Sequence, residues 1–223
     1  MILKKIVYMV LETIRNNNIV DDEDLDTRLV EEWINLKREQ FIKNNRANNP
    51  NNRTDIRLAQ KMAVGVEVIT ATEAGMYPFS TAVEDTKIVK SVSAIPPIIE
   101  DKSGPIILSL ESQDEVKYPF SSVHYDHMRF SGNGKFNSNL IYGSIRDKHL
   151  YFKYNEFFDT YTDINLLAIF QDPREVIGFD ETTDDYPANL ALIEYIKNAI
   201  FDKDIRMLFQ GREDNMNSAE SEI

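Results

Sequence analysis

Both ends of the chain carry an amphipathic helical period, and the stretch between them does not. Residues 2–46 and 186–210 repeat apolar side chains three and four apart, while the middle alternates or breaks at turn residues. Ends that share one period are expected to pack together, because each presents an apolar stripe that is unfavourable in water. The middle then becomes an insertion projecting from a helical base.

Leu3, Ile6, Val7, Val10 and Ile14 predict a first helix over 2–15, which Asn16-Asn17-Asn18 would close. The acidic run Asp21-Asp22-Glu23-Asp24 sits where carboxylates cap a second helix and favour its positive end. Over 26–46, Leu25, Leu29, Trp33, Leu36 and Phe41 form the expected core face, giving an antiparallel helical hairpin. At the other end, Asp184-Asp185-Tyr186-Pro187 reads as a capped start with proline in the first turn. Leu192, Ile193, Ile196, Ala199 and Ile200 share one face of a helix over 187–209, and Ile205, Leu208 and Phe209 extend it.

Asn44-Asn45 and Asn48 to Asn52 read as a loop, after which the period becomes two. Val64, Val66, Val68 and Thr70 alternate as a strand, followed by strand-like runs at 86–94, 105–111, 116–124, 138–145, 149–154 and 164–170. Arg146-Asp147-Lys148 joins two of them in a hairpin over 138–154, Asn133-Gly134 marks another turn, and Ile95-Pro96-Pro97 marks a strand end or sheet edge. Asp172-Pro173 ends the last run. The expected class is α+β: an N-terminal helical hairpin packed with the C-terminal helix, and an inserted antiparallel sheet or small barrel. The expected divisions are a helical base from 1–50 and 185–211, a β insertion at 60–180, and a tail at 212–223 with too few apolar residues to hold itself folded.

Composition narrows the function. The chain has 223 residues and no cysteine, which removes disulfides and every thiolate site, and suits a reducing cytoplasm or indifference to redox state. Mean hydropathy of −0.39 is ordinary for a soluble protein, no apolar run matches a membrane span, and the start lacks a signal peptide's apolar core. The formal charge is −12, and residues 156–223, with 16 acids and 5 bases, account for −11 of it. Such a chain is a poor binder of duplex DNA, although it can lie near it. Lys43, Arg46, Arg53, Arg57 and Lys61 make 43–61 locally basic, which suits either a solvated loop or an acidic partner.

No motif supplies chemistry. On a strand, His124 and His127 of His124-Tyr125-Asp126-His127 point to opposite faces, which leaves too few ligands for a metal. Asp22, Asp24 and Asp26 open like a calcium loop, but Thr27 and Trp33 stand where glycine and glutamate are needed. Ser131-Gly132-Asn133-Gly134-Lys135 lacks the spacing and the following helix of a phosphate loop and reads as a turn. Neither a cofactor nor a metal is expected, and the chain reads as a non-enzyme.

The joint order of several segments resembles the structural proteins of crAss-like and related tailed phages of Bacteroidetes. These are Ile6-Val7-Tyr8-Met9-Val10-Leu11-Glu12 with the helix at 26–43, the stretch from Ala168 to Val176, and Asp185-Tyr186-Pro187 leading to a helix and a polar tail. The resemblance implies a head–tail connector ring subunit that joins capsid to tail below the portal and forms part of the DNA channel. It implies a twelve-fold ring, portal and adjacent tail or ring proteins as partners, DNA that passes without specific binding, no membrane, and a virion location after assembly in the host cytoplasm. Asp180, Glu181, Asp184, Asp185, Asp202 and Asp204 are then candidate lumen acids, and Arg212, Glu213, Asp214 and Met216 belong to a candidate interaction arm. The alternatives are another collar or tail-hub protein, a small cytoplasmic enzyme, or a module binding extended peptide at a sheet edge.

Overall fold

The computed structural model describes residues 1–16, 26–48, 54–75, 87–112, 116–131, 140–154, 158 and 162–200. They fall in two compact units, one drawn from Met1–Pro50 and Asp180–Ile223, the other from Asn51–Phe179.

The first unit holds three helices that touch one another pairwise: α1 (Leu3–Asn16), α2 (Thr27–Asn48) and α3 (Leu190–Ala199). α1 buries Leu3, Ile6, Val7 and Val10 of the stripe its period predicts, together with Leu11; the burial of Ile14 lies outside what is described. α3 buries Leu192, Ile193, Ile196 and the adjoining Ile200. Phe41 of α2 meets Tyr195 of α3 with ring centroids 5.1 Å apart, a tilted aromatic contact of the kind that steadies helix pairs.

α2 departs from expectation in the face it buries. Val30, Ile34, Lys37, Arg38 and Ile42 point inward, while Leu29 and Leu36 are exposed at 36% and 47% and Trp33 is half-buried. Both sets recur at helical spacing, so the sequence offers two stripes and the bundle takes the one that contains an arginine. The helix also runs through Asn44-Asn45 to Asn48, where the polar composition suggested a loop; tertiary packing outweighs the weak propensity of asparagine. Its start is served by Asp26, whose carboxylate accepts the Arg28 N–H at 3.0 Å. The expected caps Asp21 to Asp24 lie outside the described residues.

The last helix begins later than Asp184-Asp185-Tyr186-Pro187 predicts. Asn189 is its cap, accepting the Leu192 N–H at 2.8 Å, and Tyr186 and Pro187 are buried in the segment before it. The expected continuation through Ile205, Leu208 and Phe209 lies outside the described residues.

The second unit is built on an eight-stranded sheet. In chain order the strands are β1 (Gln60–Thr70), β2 (Lys87–Ser91), β3 (Glu100–Asp101), β4 (Gly104–Pro105), β5 (Ile107–Glu111), β6 (Lys117–Tyr118), β7 (Phe120–Ser122), β8 (Ile141–Arg146), β9 (His149–Lys153) and β10 (Asp163–Ala168). The sheet order is β6-β5-β10-β1-β2-β9-β8-β7, with β3 and β4 paired separately. β1 divides its length: Gln60–Gly65 pairs with β10 and Val66–Thr70 with β2. Its alternate residues Met62, Val64 and Val66 enter the main core with Val89, Leu110, Leu150, Phe152, Ile164, Leu166 and Phe170.

The α+β class is the one expected, and the sheet is mixed, since β7 lies parallel to β8 while the other pairings are antiparallel. The β8–β9 hairpin turns at Asp147 and Lys148, whose φ angles of 51° and 64° are those a tight two-residue turn needs. Thr70 and Glu73 close the end of β1 reciprocally: Glu73 Oε2 accepts the Thr70 N–H at 2.8 Å, and Thr70 Oγ1 accepts the Glu73 N–H at 3.2 Å.

Candidate functional site

The histidine segment is a 3-10 helix, Tyr125–Phe130, with His124 at its cap, rather than the strand expected. A three-residue turn sets residues three apart on one side. His124 and His127 are therefore neighbours, with ring centroids 5.6 Å apart, and not on opposite faces. The helix is fixed by Tyr125 and Met128, which join Ala71, Ala74, Ile88 and Tyr151 in a smaller core. Tyr125 donates its hydroxyl to the Ala74 carbonyl, stacks edge-on to Tyr151 at 5.0 Å and lies under Arg146 at 4.7 Å. Among the described residues, no group of three or more His, Asp or Glu could hold a metal. The third histidine, His149, sets Nδ1 2.9 Å from the Ser91 carbonyl, and Ser91 Oγ accepts the Leu150 N–H at 3.0 Å, so this pair locks β2 to β9.

The basic run at 43–61 is divided between the two units, and several of its bases meet acids close by. Lys43 pairs with Glu39 one turn earlier on α2 at 2.6 Å, and Arg57 follows Asp55, whose carboxylate accepts its N–H at 3.0 Å. Lys61 on β1 reaches Glu111 at 2.9 Å, and Lys117 approaches the same carboxylate at 3.4 Å. The Glu111 side chain is 7% exposed, and its hydrogen bond to Lys61 holds its pKa below the ordinary glutamate value against the opposing effect of burial.

Four of the sequence-predicted acids cluster in the turn that precedes α3. Asp180 Oδ1 accepts the Thr182 N–H at 2.8 Å and its hydroxyl at 2.6 Å, which depresses the Asp180 pKa, with a further contribution from Lys4. Asp184 Oδ2 accepts the Asp180 N–H at 2.9 Å, and the Asp180 carbonyl accepts the Asp184 N–H at 2.8 Å. Asp185 pairs with the Met1 ammonium while its side chain stays 81% exposed. Glu181 is half-exposed beside them. These acids build their own turn and still leave negative charge at the surface. Asp202, Asp204, Arg212, Glu213, Asp214 and Met216 lie outside the described residues.

Behind the turn, a polar anchor that periodicity did not single out holds it to α2. Arg38 is fully buried; its Nε donates to the Pro187 carbonyl at 3.1 Å and its guanidinium sits 5.9 Å from the Tyr186 ring. Tyr186 donates its hydroxyl to Asn35 Oδ1 at 2.6 Å, and its N–H to the Met1 carbonyl at 3.0 Å. The one signal available in the sequence is the spacing Val30, Ile34, Arg38, Ile42, where an arginine stands in an otherwise apolar row.

No helix among the described residues is long and apolar enough to cross a membrane. Within the helical unit, the arrangement is therefore an acidic turn pinned on a small bundle. Among curated proteins, none matches the sequence. A family model described as phage tail ring protein 2, of the crAss type, matches residues 5–223, nearly the whole chain. By that match the chain belongs to the phage tail ring protein 2 family and is a structural component of the virion.

Proposed function

We propose that this chain is a subunit of a head–tail connector ring that lies below the portal, joins capsid to tail and forms part of the DNA channel. The family match over 5–223 carries the reading. The role is mechanical: copies arranged head-to-tail close when the rotation per subunit divides a full turn, here into twelve. Neighbouring tail and ring proteins and the portal are its partners, and assembly takes place in the host cytoplasm.

The concentration of −11 in residues 156–223 supports a channel-facing role for Asp180, Glu181, Asp184, Asp185, Asp202 and Asp204. A wall of carboxylates repels phosphate and lets DNA slide without gripping it. Residues 212–223 act as an arm that orders against a neighbouring protein. Imaging of intact particles tests the assignment: the acids of 180–185 line a central channel one ring below the portal. Their appearance on the outer wall, or the chain's placement elsewhere in the tail, overturns it. Deleting 212–223 is expected to weaken attachment of the ring without unfolding the domain, and normal assembly of the shortened chain removes the arm from the proposal.

A further inference from the structure

A subunit in a ring needs two different patches, one for each neighbour, because a head-to-tail contact joins unlike surfaces. Among the described residues of the helical unit, Leu190 is exposed at the start of α3, and two further apolar groups lie on α1 and α2. On α2, Leu29, Trp33 and Leu36 fall within about 60° of arc at the α-helical 3.6 residues per turn, on the side away from Val30, Ile34, Arg38 and Ile42. On α1, Tyr8 is 68% exposed on the side away from Leu3, Ile6, Val7 and Val10. Each apolar group carries charges of opposite order. Along α1, Lys4 and Lys5 precede Tyr8 and Glu12 follows it; along α2, Glu32 lies beside the stripe after the exposed Arg28, and Lys43, paired with Glu39, lies about two turns beyond Leu36. Helices laid parallel would bring Lys4 and Lys5 to Glu32 and Glu12 toward Lys43.

We propose that neighbouring copies of this chain join through these patches, Tyr8 of one copy lying on the Leu29–Trp33–Leu36 stripe of the next. This rests on the reading that copies of the chain close into a ring. The two patches leave the same bundle on different helices, so each copy keeps one of each kind free for the following neighbour, and the contact propagates. A buried aromatic–aliphatic centre with a charged rim is the pattern of a specific protein contact. Lys4 also acts on Asp180 electrostatically, so the α1 patch lies close to the acidic turn.

The absence of cysteine gives a clean test. Particles are assembled in the host with Tyr8→Cys/Leu36→Cys chain and treated with a short bismaleimide. A ladder of cross-linked multimers from the double variant, with only monomer from either single variant, is the expected result. Dimers from Leu36→Cys alone mean that like surfaces meet, and monomer from the double variant means that the patches do not meet. Either outcome overturns the pairing. A lysine-reactive cross-linker on unsubstituted particles separates the two levels of the argument: multimers there keep the ring reading alive, and monomer alone ends it together with this proposal. Trp33, the single tryptophan, gives a readout that needs no substitution. Its emission is expected to shift to shorter wavelength and resist acrylamide quenching in rings relative to dissociated subunits. Equal quenching in both states overturns the proposal.

Discussion

The Arg38 Nε–H donates to the Pro187 carbonyl at 3.1 Å, joining residues 149 positions apart in the chain. A fully buried guanidinium that loses its acceptor, or an acceptor that loses its donor, carries the whole cost of desolvation. Arg38→Ala is therefore expected to destabilise the helical unit by roughly 2–4 kcal/mol, through lost packing and an orphaned carbonyl. Tyr186→Phe, which removes the hydrogen bond to Asn35, is expected to cost about 1 kcal/mol. Urea denaturation of the two variants checks the order, and an Arg38→Ala midpoint equal to that of the parent contradicts it.

Gly143 is enclosed. A Cβ there would lie 2.7 Å from Phe120 Cε2, 2.8 Å from the Tyr151 carbonyl oxygen and 2.9 Å from Phe152 Cδ1. One neighbour is backbone of the paired strand, so it cannot swing aside. Gly143→Ala is expected to destabilise the β unit by about 1–3 kcal/mol, as overpacking of a filled core does. Thermal unfolding measures it, and an unchanged midpoint shows that the β7–β8–β9 region yields.

The β8–β9 turn places two side-chain-bearing residues, Asp147 and Lys148, at positive φ. Asparagine and glycine accept that backbone at lower cost. The double replacement Asp147→Asn/Lys148→Gly is expected to raise stability by up to about 1 kcal/mol. A fall in midpoint would show that the Arg146–Asp147 ion pair, 3.4 Å long and largely exposed, matters more than the backbone.

Glu111 links stability to acid. Its carboxylate is favoured in the folded protein by Lys61, so its folded pKa lies below the unfolded one. A depressed carboxyl contributes stability above the unfolded pKa and loses it as pH falls through the folded pKa. The β unit is expected to weaken as pH drops below about 4.5, the ordinary value for this group. Glu111→Gln should flatten that part of the profile and lower stability at neutral pH, where Lys61 and Lys117 lose the Glu111 carboxylate. Parallel acid titrations of the two proteins, followed by circular dichroism, give the comparison, and identical profiles overturn it.

Local periodicity made much of the architecture legible. The α1 stripe at Leu3, Ile6, Val7 and Val10 reads directly from spacing, as do the alternation of β1 and the hairpin about Asp147-Lys148. What it did not decide were choices made by tertiary partners. α2 carries two stripes, and the buried one is selected because Arg38 finds a carbonyl and an aromatic ring from a segment far along the chain. The same segment explains why α3 starts at Asn189: Tyr186 and Pro187 are held by α2 and cannot form the first turn. His124 and His127 came together because Tyr125 and Met128 are drawn into a small core and wind the segment into a 3-10 turn. At the candidate site, composition identified the acids of 180–185, whereas their hydrogen bonds to Thr182 and to one another depend on a turn geometry that composition does not encode.

The split pairing of β1 makes the sheet indivisible. Among the described strands, β6, β5 and β10 are joined to the ladder of the other four through that one strand, with the change of partner between Gly65 and Val66. Were β1 to detach, three strands and four strands would be left with raw edges along its length. Partial melting therefore offers no stable resting point, and the β unit should give way all at once under heat or load, as a keystone releases an arch.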